Sequence, residues 1–233
     1  MEQFLIISHI LCGGTVLLLG LVQMFNRKGG ANHITIGRVY VGAMWWICLS
    51  AWGIILFYRF SAFLMVIAVL TFHASFVGVR VLKRRKTGGE KWYDWAVAIV
   101  TSIFGIGIII YGVNLYFTSS NTVLAFLCGL FGFFTLSNGF QDLKFFNQKP
   151  EVEKGWWLKQ HIGAMGGSYI AAVTAFAVQN PNIFLPGSSY QWLLWILPAA
   201  IGSPIISMMS KKWMRKSNGL LAKGNEYINE GAK

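Results

Sequence analysis

Lys154-Gly155-Trp156-Trp157-Leu158-Lys159-Gln160-His161-Ile162-Gly163-Ala164-Met165-Gly166-Gly167-Ser168-Tyr169 opens an apolar run that continues to Gln179 without another charged residue. A run of that length matches the roughly 20 residues a helix needs to cross the hydrocarbon core. Trp156 and Trp157 suit the water–lipid interface, and Lys154 and Lys159 suit its cytoplasmic side. His161 then falls about one turn inside the helix, with glycines, a serine and a tyrosine just beyond it.

Composition extends this reading to the whole chain. The 233 residues are 55% hydrophobic and 12% charged, with a mean hydropathy of +0.54. Soluble domains carry roughly 25% charged residues, so a polytopic all-α membrane protein is expected. A net charge of +12 would suggest nucleic acid for a soluble chain. Here the cations flank apolar segments, where they set orientation, and no nucleic-acid partner is expected. Cys12, Cys48 and Cys128 lie singly in apolar segments, so neither a disulfide framework nor a cysteine zinc site is expected. The first segment lacks a basic start and has Glu2; it reads as a permanent helix rather than a cleaved leader.

Seven transmembrane helices are expected: Gln3 to Phe25, His33 or Arg38 to Tyr58, Phe60 to Leu82, Trp92 to Phe117, Thr122 to Phe146, Trp156 to Gln179, and Tyr190 to Met209. Pro198 and Pro204 are expected to kink or unwind the last. Residues 1–210 form the membrane domain and 211–233 a basic, polar tail, anchored at the interface or disordered. Arg59 is the one clear cation in the first set of loops, while Arg27, Lys28, Lys83, Arg84, Arg85 and Lys86 lie in the second. The positive-inside rule then places the N-terminus outside and the C-terminus in the cytoplasm of a cell inner membrane.

Ionisable groups inside a span are costly and mark function by default. His73 lies near the middle of the third helix, His161 one turn inside the sixth, His33 at the mouth of the second, and His9 alone towards the other face. Arg80 follows His73 by seven residues and shares its helix face; Arg38 follows His33 by five. Thr135, Asn138 and Asp142 make a polar stripe on the fifth helix, and Asp94 begins the fourth. Arg38 or Arg80 is expected to pair with Asp94 or Asp142, since an unpaired charge there is expensive. The result is an expected cytoplasmic-side pocket lined by the second, third, fifth and sixth helices.

Gly13, Gly37, Gly78 and Gly166 each follow a histidine by four or five residues. Space beside an imidazole is what a bis-histidine haem needs; small residues also serve ordinary helix packing in membranes. His73 and His161 suffice for one haem b, with Arg38 or Arg80 holding propionates, whereas a two-haem wire across the bilayer needs an outer pair and has only His9. The alternative is zinc or another transition metal on His33, His73, His161 and Asp142, a set drawn from four helices with no diagnostic spacing. Trp45-Trp46 could line a quinone or lipid pocket, or simply pack. No lysine lies inside the last span for a retinal Schiff base.

The pattern His33-x-x-x-Gly37-Arg38-Val39-Tyr40, mid-helix His73 and Trp157-x-x-x-His161-x-x-x-Met165-x-x-Ser168-Tyr169 resembles a group of bacterial predicted membrane proteins catalogued as a domain of unknown function. The resemblance covers roughly the first 180 residues and implies a helical bundle with histidines grouped near one membrane face. Ile162 and Gly166 stand where that group would have a basic residue and an arginine. Three functions follow as expectations: a redox protein holding one haem b or acting on a quinone; a metal-dependent enzyme acting on lipid; and a non-catalytic subunit of a membrane complex, its histidines locking helices.

Overall fold

The structure, a computed structural model, describes residues 1–119 and 121–230, without the side chains of 63 and 216–230. It is all-helical among the described residues: α1 Glu2–Phe25, α2 Ala31–Phe57, α3 Ala62–Lys83, α4 Trp92–Thr118, α5 Thr122–Gln148, α6 Trp156–Gln179, the single turn α7 Pro181–Phe184, a 3₁₀ turn Gln191–Trp195, and α8 Leu197–Glu230. Seven segments are long and apolar enough to span a membrane, the last being Gln191–Arg215. The bundle is apolar outside: Phe25 is 83% exposed, Phe117 78% and Ile183 69%, while Ser75, Ser168, Thr101 and Thr135 are buried. That inversion is what lipid as solvent selects.

The last span differs from the expected single kinked helix. A 3₁₀ turn leads into α8, and Pro198 occupies the second position of that helix. There its missing N–H costs nothing, because first-turn donors have no intrahelical partner anyway. Only Pro204 is interior. The helix also continues past Lys211 to Glu230, so the expected boundary at 210 is not a break in the backbone.

α3 and α6 form the centre. α3 packs against α2, α4, α5 and α6, and α6 against α1, α3 and α8. The hairpin α4–α5 is built on a repeat not evident from hydropathy. Asp94, Ala98, Thr101, Gly105, Ile108 and Gly112 are the buried residues of α4, and Ala125, Cys128, Gly132, Thr135, Gly139, Asp142 and Phe146 are among those of α5. Both series alternate steps of three and four, a coiled-coil seam with small residues at the contact. A Cβ on Gly105 would stand 2.4 Å from the Leu136 backbone nitrogen, and one on Gly139 2.7 Å from the Ala98 carbonyl oxygen.

The two ends of the bundle differ in charge. The end holding the α1–α2, α3–α4 and α5–α6 loops is basic. At the other end Arg59 is met by Glu2, Nε to Oε1 at 3.3 Å.

The opening stretch of α6 supplies the joints. Ser168 donates to the Met165 carbonyl at 2.8 Å, so the Tyr40 O–H is the donor in the 2.9 Å contact with Ser168. Tyr169 donates to the Leu17 carbonyl at 3.1 Å. Its ring lies where a Gly20 side chain would be, 2.1 Å from that ideal Cβ. Tyr40→Phe removes one buried hydrogen bond and leaves Ser168 satisfied. A loss of about 0.5–1.5 kcal/mol is expected, read as a small drop in melting temperature in detergent.

Candidate functional site

The candidate residues form two groups. The first lies between α3, α4 and α5. His73 donates from Nε2 to Asp142 Oδ2 at 3.0 Å, with His73 5% and Asp142 8% exposed. About two turns nearer the basic end, Arg80 meets Asp94 through two bonds, Nε to Oδ1 at 2.8 Å and Nη2 to Oδ2 at 2.6 Å. That parallel fork is the strong form of the arginine–carboxylate contact. Asp94 also accepts from the Lys91 backbone N–H at 2.9 Å, capping α4. Arg80 lies over the Tyr93 ring at 4.7 Å. One more turn along, Arg84 is buried among Phe145, Phe146 and Glu90. His73, Arg80 and Arg84, at spacings of seven and four, form one face of α3.

The second group lies at the basic mouth between α1, α2 and α6. The His33 and His161 rings meet edge to face, centroids 6.4 Å apart. His161 Nδ1 donates to the Gly78 carbonyl at 2.7 Å, which leaves Nε2 as the acceptor of the neutral ring. His33 Nδ1 is buried without a partner, while its own carbonyl accepts from Gln23 at 2.7 Å. Lys28 turns back onto the end of α1, donating to the Gln23 and Met24 carbonyls. Burial lowers the pKa of this loop lysine.

The expected single pocket is therefore divided. His73 and Asp142 belong together, His33 and His161 belong together, and among the described residues no three His, Cys, Asp or Glu side chains group closely enough to hold a metal ion. Of the two arginines, Arg80 takes Asp94 as expected, whereas Arg38 is exposed on α2. The polar stripe of α5 also divides: Thr135 and Asp142 are buried, while Asn138 is exposed and donates to the Phe134 carbonyl. His9 stands apart, Nδ1 at 2.9 Å from Ser50 Oγ. Since Ser50 donates to the Ile47 carbonyl, His9 Nδ1–H is the donor.

The glycines decide between the two uses expected of them. A Cβ on Gly78 would meet Met165 Sδ at 2.6 Å, one on Gly166 would meet Ile206 Cδ1 at 2.4 Å, and one on Gly37 would meet Gln23 Nε2 at 3.1 Å. Of the four glycines that follow a histidine, Gly13 alone faces open space. The room beside His73 and His161 is filled by neighbouring side chains, and the His73 nitrogen that would face an iron is held by Asp142. These residues do not fit a bis-histidine haem. Trp45 and Trp46 part company as well: Trp45 donates to Ser75 at 3.1 Å, and Trp46 is 38% exposed.

Sequence reasoning missed Arg84. Its signal was present as the residue eleven after His73 on the same face, hidden within the run Lys83-Arg84-Arg85-Lys86, which reads as a solvated loop. No family model, characterised protein or solved structure matches the chain.

Proposed function

We propose that this chain is a multi-pass protein of the cell inner membrane, N-terminus outside and C-terminus cytoplasmic, whose working centre is the buried His73–Asp142 pair. The orientation is supported by the basic loops at one end and by the neutralisation of Arg59 by Glu2 at the other. The function is proton exchange on the cytoplasmic side, serving a lipid-soluble redox partner of the quinone class.

The observation carrying this reading is the buried imidazole–carboxylate contact at 3.0 Å. As imidazolium and carboxylate the pair is neutral; after losing a proton it carries one negative charge, and Arg84 lies within electrostatic range of Asp142. A dyad that changes charge inside a membrane is a proton site by its chemistry. The test uses purified protein in lipid nanodiscs, titrated with decylubiquinone and read by tryptophan fluorescence and by infrared difference spectra between pH 5 and 8. Saturable quenching and a carboxyl or imidazole protonation band are expected, both lost in His73→Gln and Asp142→Asn. Identical spectra and quenching in all three proteins would end this reading.

A second reading, a non-catalytic subunit of a membrane complex, is favoured by one observation. His9, His73 and His161 each hydrogen-bond to another helix: α1 to α2, α3 to α5, and α6 to α3. It is supported if fixed partners co-purify and the assembly survives His161→Ala.

A further inference from the structure

Arg84 ends α3 as its C-cap and is 4% exposed. Its Nε and Nη1 are buried and have no hydrogen-bond partner. The nearest carboxylate, Glu90 Oε1, is 3.9 Å from Nη1, beyond hydrogen-bonding reach. The other two carboxylates of the neighbourhood are engaged elsewhere, Asp94 by Arg80 and Asp142 by His73. Below, the guanidinium lies over the Phe146 ring at 4.5 Å. Burial accordingly pulls the arginine pKa below its ordinary value, against the opposing pull of Asp94, Asp142 and Glu90.

What covers Arg84 is a short strap, residues 84–91. Gly88 is left-handed, φ +82°, and its N–H donates to Glu90 Oε1 at 3.3 Å. A Cβ on Gly89 would rest 3.5 Å from Arg84 Cγ. The Glu90 side chain is 4% exposed, so a carboxylate is folded inward over a guanidinium that it pairs with only at 3.9 Å, without a hydrogen bond. Lys83, Arg85, Lys86 and Lys91 are exposed around the strap and make its outer rim strongly positive.

We propose that Arg84 is the floor of a binding site for a phosphate-type oxyanion at the basic end of the bundle, with Glu90 occupying that site as an internal competitor. A buried guanidinium with unpartnered N–H donors is matched to tetrahedral oxyanions. The flanking cations draw such anions, and an anionic leaflet, to this end of the bundle. The phosphate enters as the strap swings outward and Glu90 leaves. A lipid headgroup and free phosphate share this chemistry and differ in whether acyl chains accompany it.

The test measures melting temperature and binding in detergent with three additions: phosphatidylglycerol, phosphatidylcholine, and inorganic phosphate. Wild type is expected to be stabilised by phosphatidylglycerol more than by phosphatidylcholine, and Glu90→Gln to bind about tenfold tighter because the competitor has lost its charge. Arg84→Gln loses the difference between lipids, and Arg84→Lys, which keeps the charge without the planar guanidinium, retains less than half. Lys86→Gln, on the rim, keeps most of it. Stabilisation by inorganic phosphate alone would assign the site to a free anion; stabilisation by phosphatidylglycerol alone would assign it to a headgroup. The proposal is overturned if Arg84→Lys and wild type respond alike to every addition, or if Glu90→Gln binds no tighter.

Discussion

Gly105→Ala costs the α4–α5 hairpin at least the ~1–3 kcal/mol typical of forcing extra atoms into a packed contact, and Gly105→Leu leaves little folded protein. The added carbon would lie 2.4 Å from a backbone nitrogen and 2.6 Å from the Cα of Leu136. Backbone cannot rotate away as a side chain can, so the helices must separate along their length. Separation also strips the contacts at Gly112, Gly132 and Gly139, where a Cβ would meet the opposite helix at 2.9, 2.8 and 2.4 Å. Gly107 is the internal control: two residues along the same helix, it faces open space. Gly107→Ala is expected to stay within ~0.5 kcal/mol of wild type. Thermal unfolding in detergent, followed by near-ultraviolet circular dichroism, checks both. No loss at 105 beyond that at 107, or a gain at both, would mean that helix propensity, not close approach, governs the glycines.

The second large effect is at the buried pair. Asp142→Leu strands an imidazole, and His73→Leu strands a carboxylate, each 8% exposed or less in wild type. Removing one member of such a pair typically costs about 3–5 kcal/mol, whereas replacing both with apolar groups is often neutral. The double variant His73→Leu/Asp142→Leu is therefore expected to be more stable than either single one. The difference measures the coupling directly. The same double variant separates structure from activity: it should fold and still fail the quinone titration. A double variant that loses the sum of the two single losses would show that the two side chains act independently.

The membrane class and the element order were readable from composition and run lengths. Hydrophobic runs end where charge or proline begins, so α6 starts at Trp156 and α4 at Trp92 as expected. What could not be read was rotation. In water, an amphipathic helix advertises its buried face. In lipid, both faces are apolar, and buried differs from exposed by size rather than polarity. That is why Asn138 and Asp142, four residues apart, were assigned one environment and occupy two. It is also why four candidate ligands on four helices read as one pocket and fall into two groups. Arg80 with Asp94 was legible because a charge near the membrane restricts its partners to few. The last span misled for a local reason: Pro198 was read as interior although its helix starts one residue earlier.

The connection between α4 and α5 spans only 119–121, and this has a consequence for how the molecule is made. Contacts between consecutive helices joined so briefly require little loop-closure entropy, and local contacts form fastest. On a ribosome the nascent hairpin has everything it needs once α5 has emerged. By contrast α6 needs α1 and α3, and Tyr40 of α2, from before the hairpin, and then α8 from after it to set Ile206 against Gly166. Assembly is thus vectorial, a preformed middle followed by late closure. A nascent chain stalled once α5 has left the ribosome but before α8 is made should already hold a protected α4–α5 unit, while Tyr169 and Ser168 wait for a chain long enough to seat them.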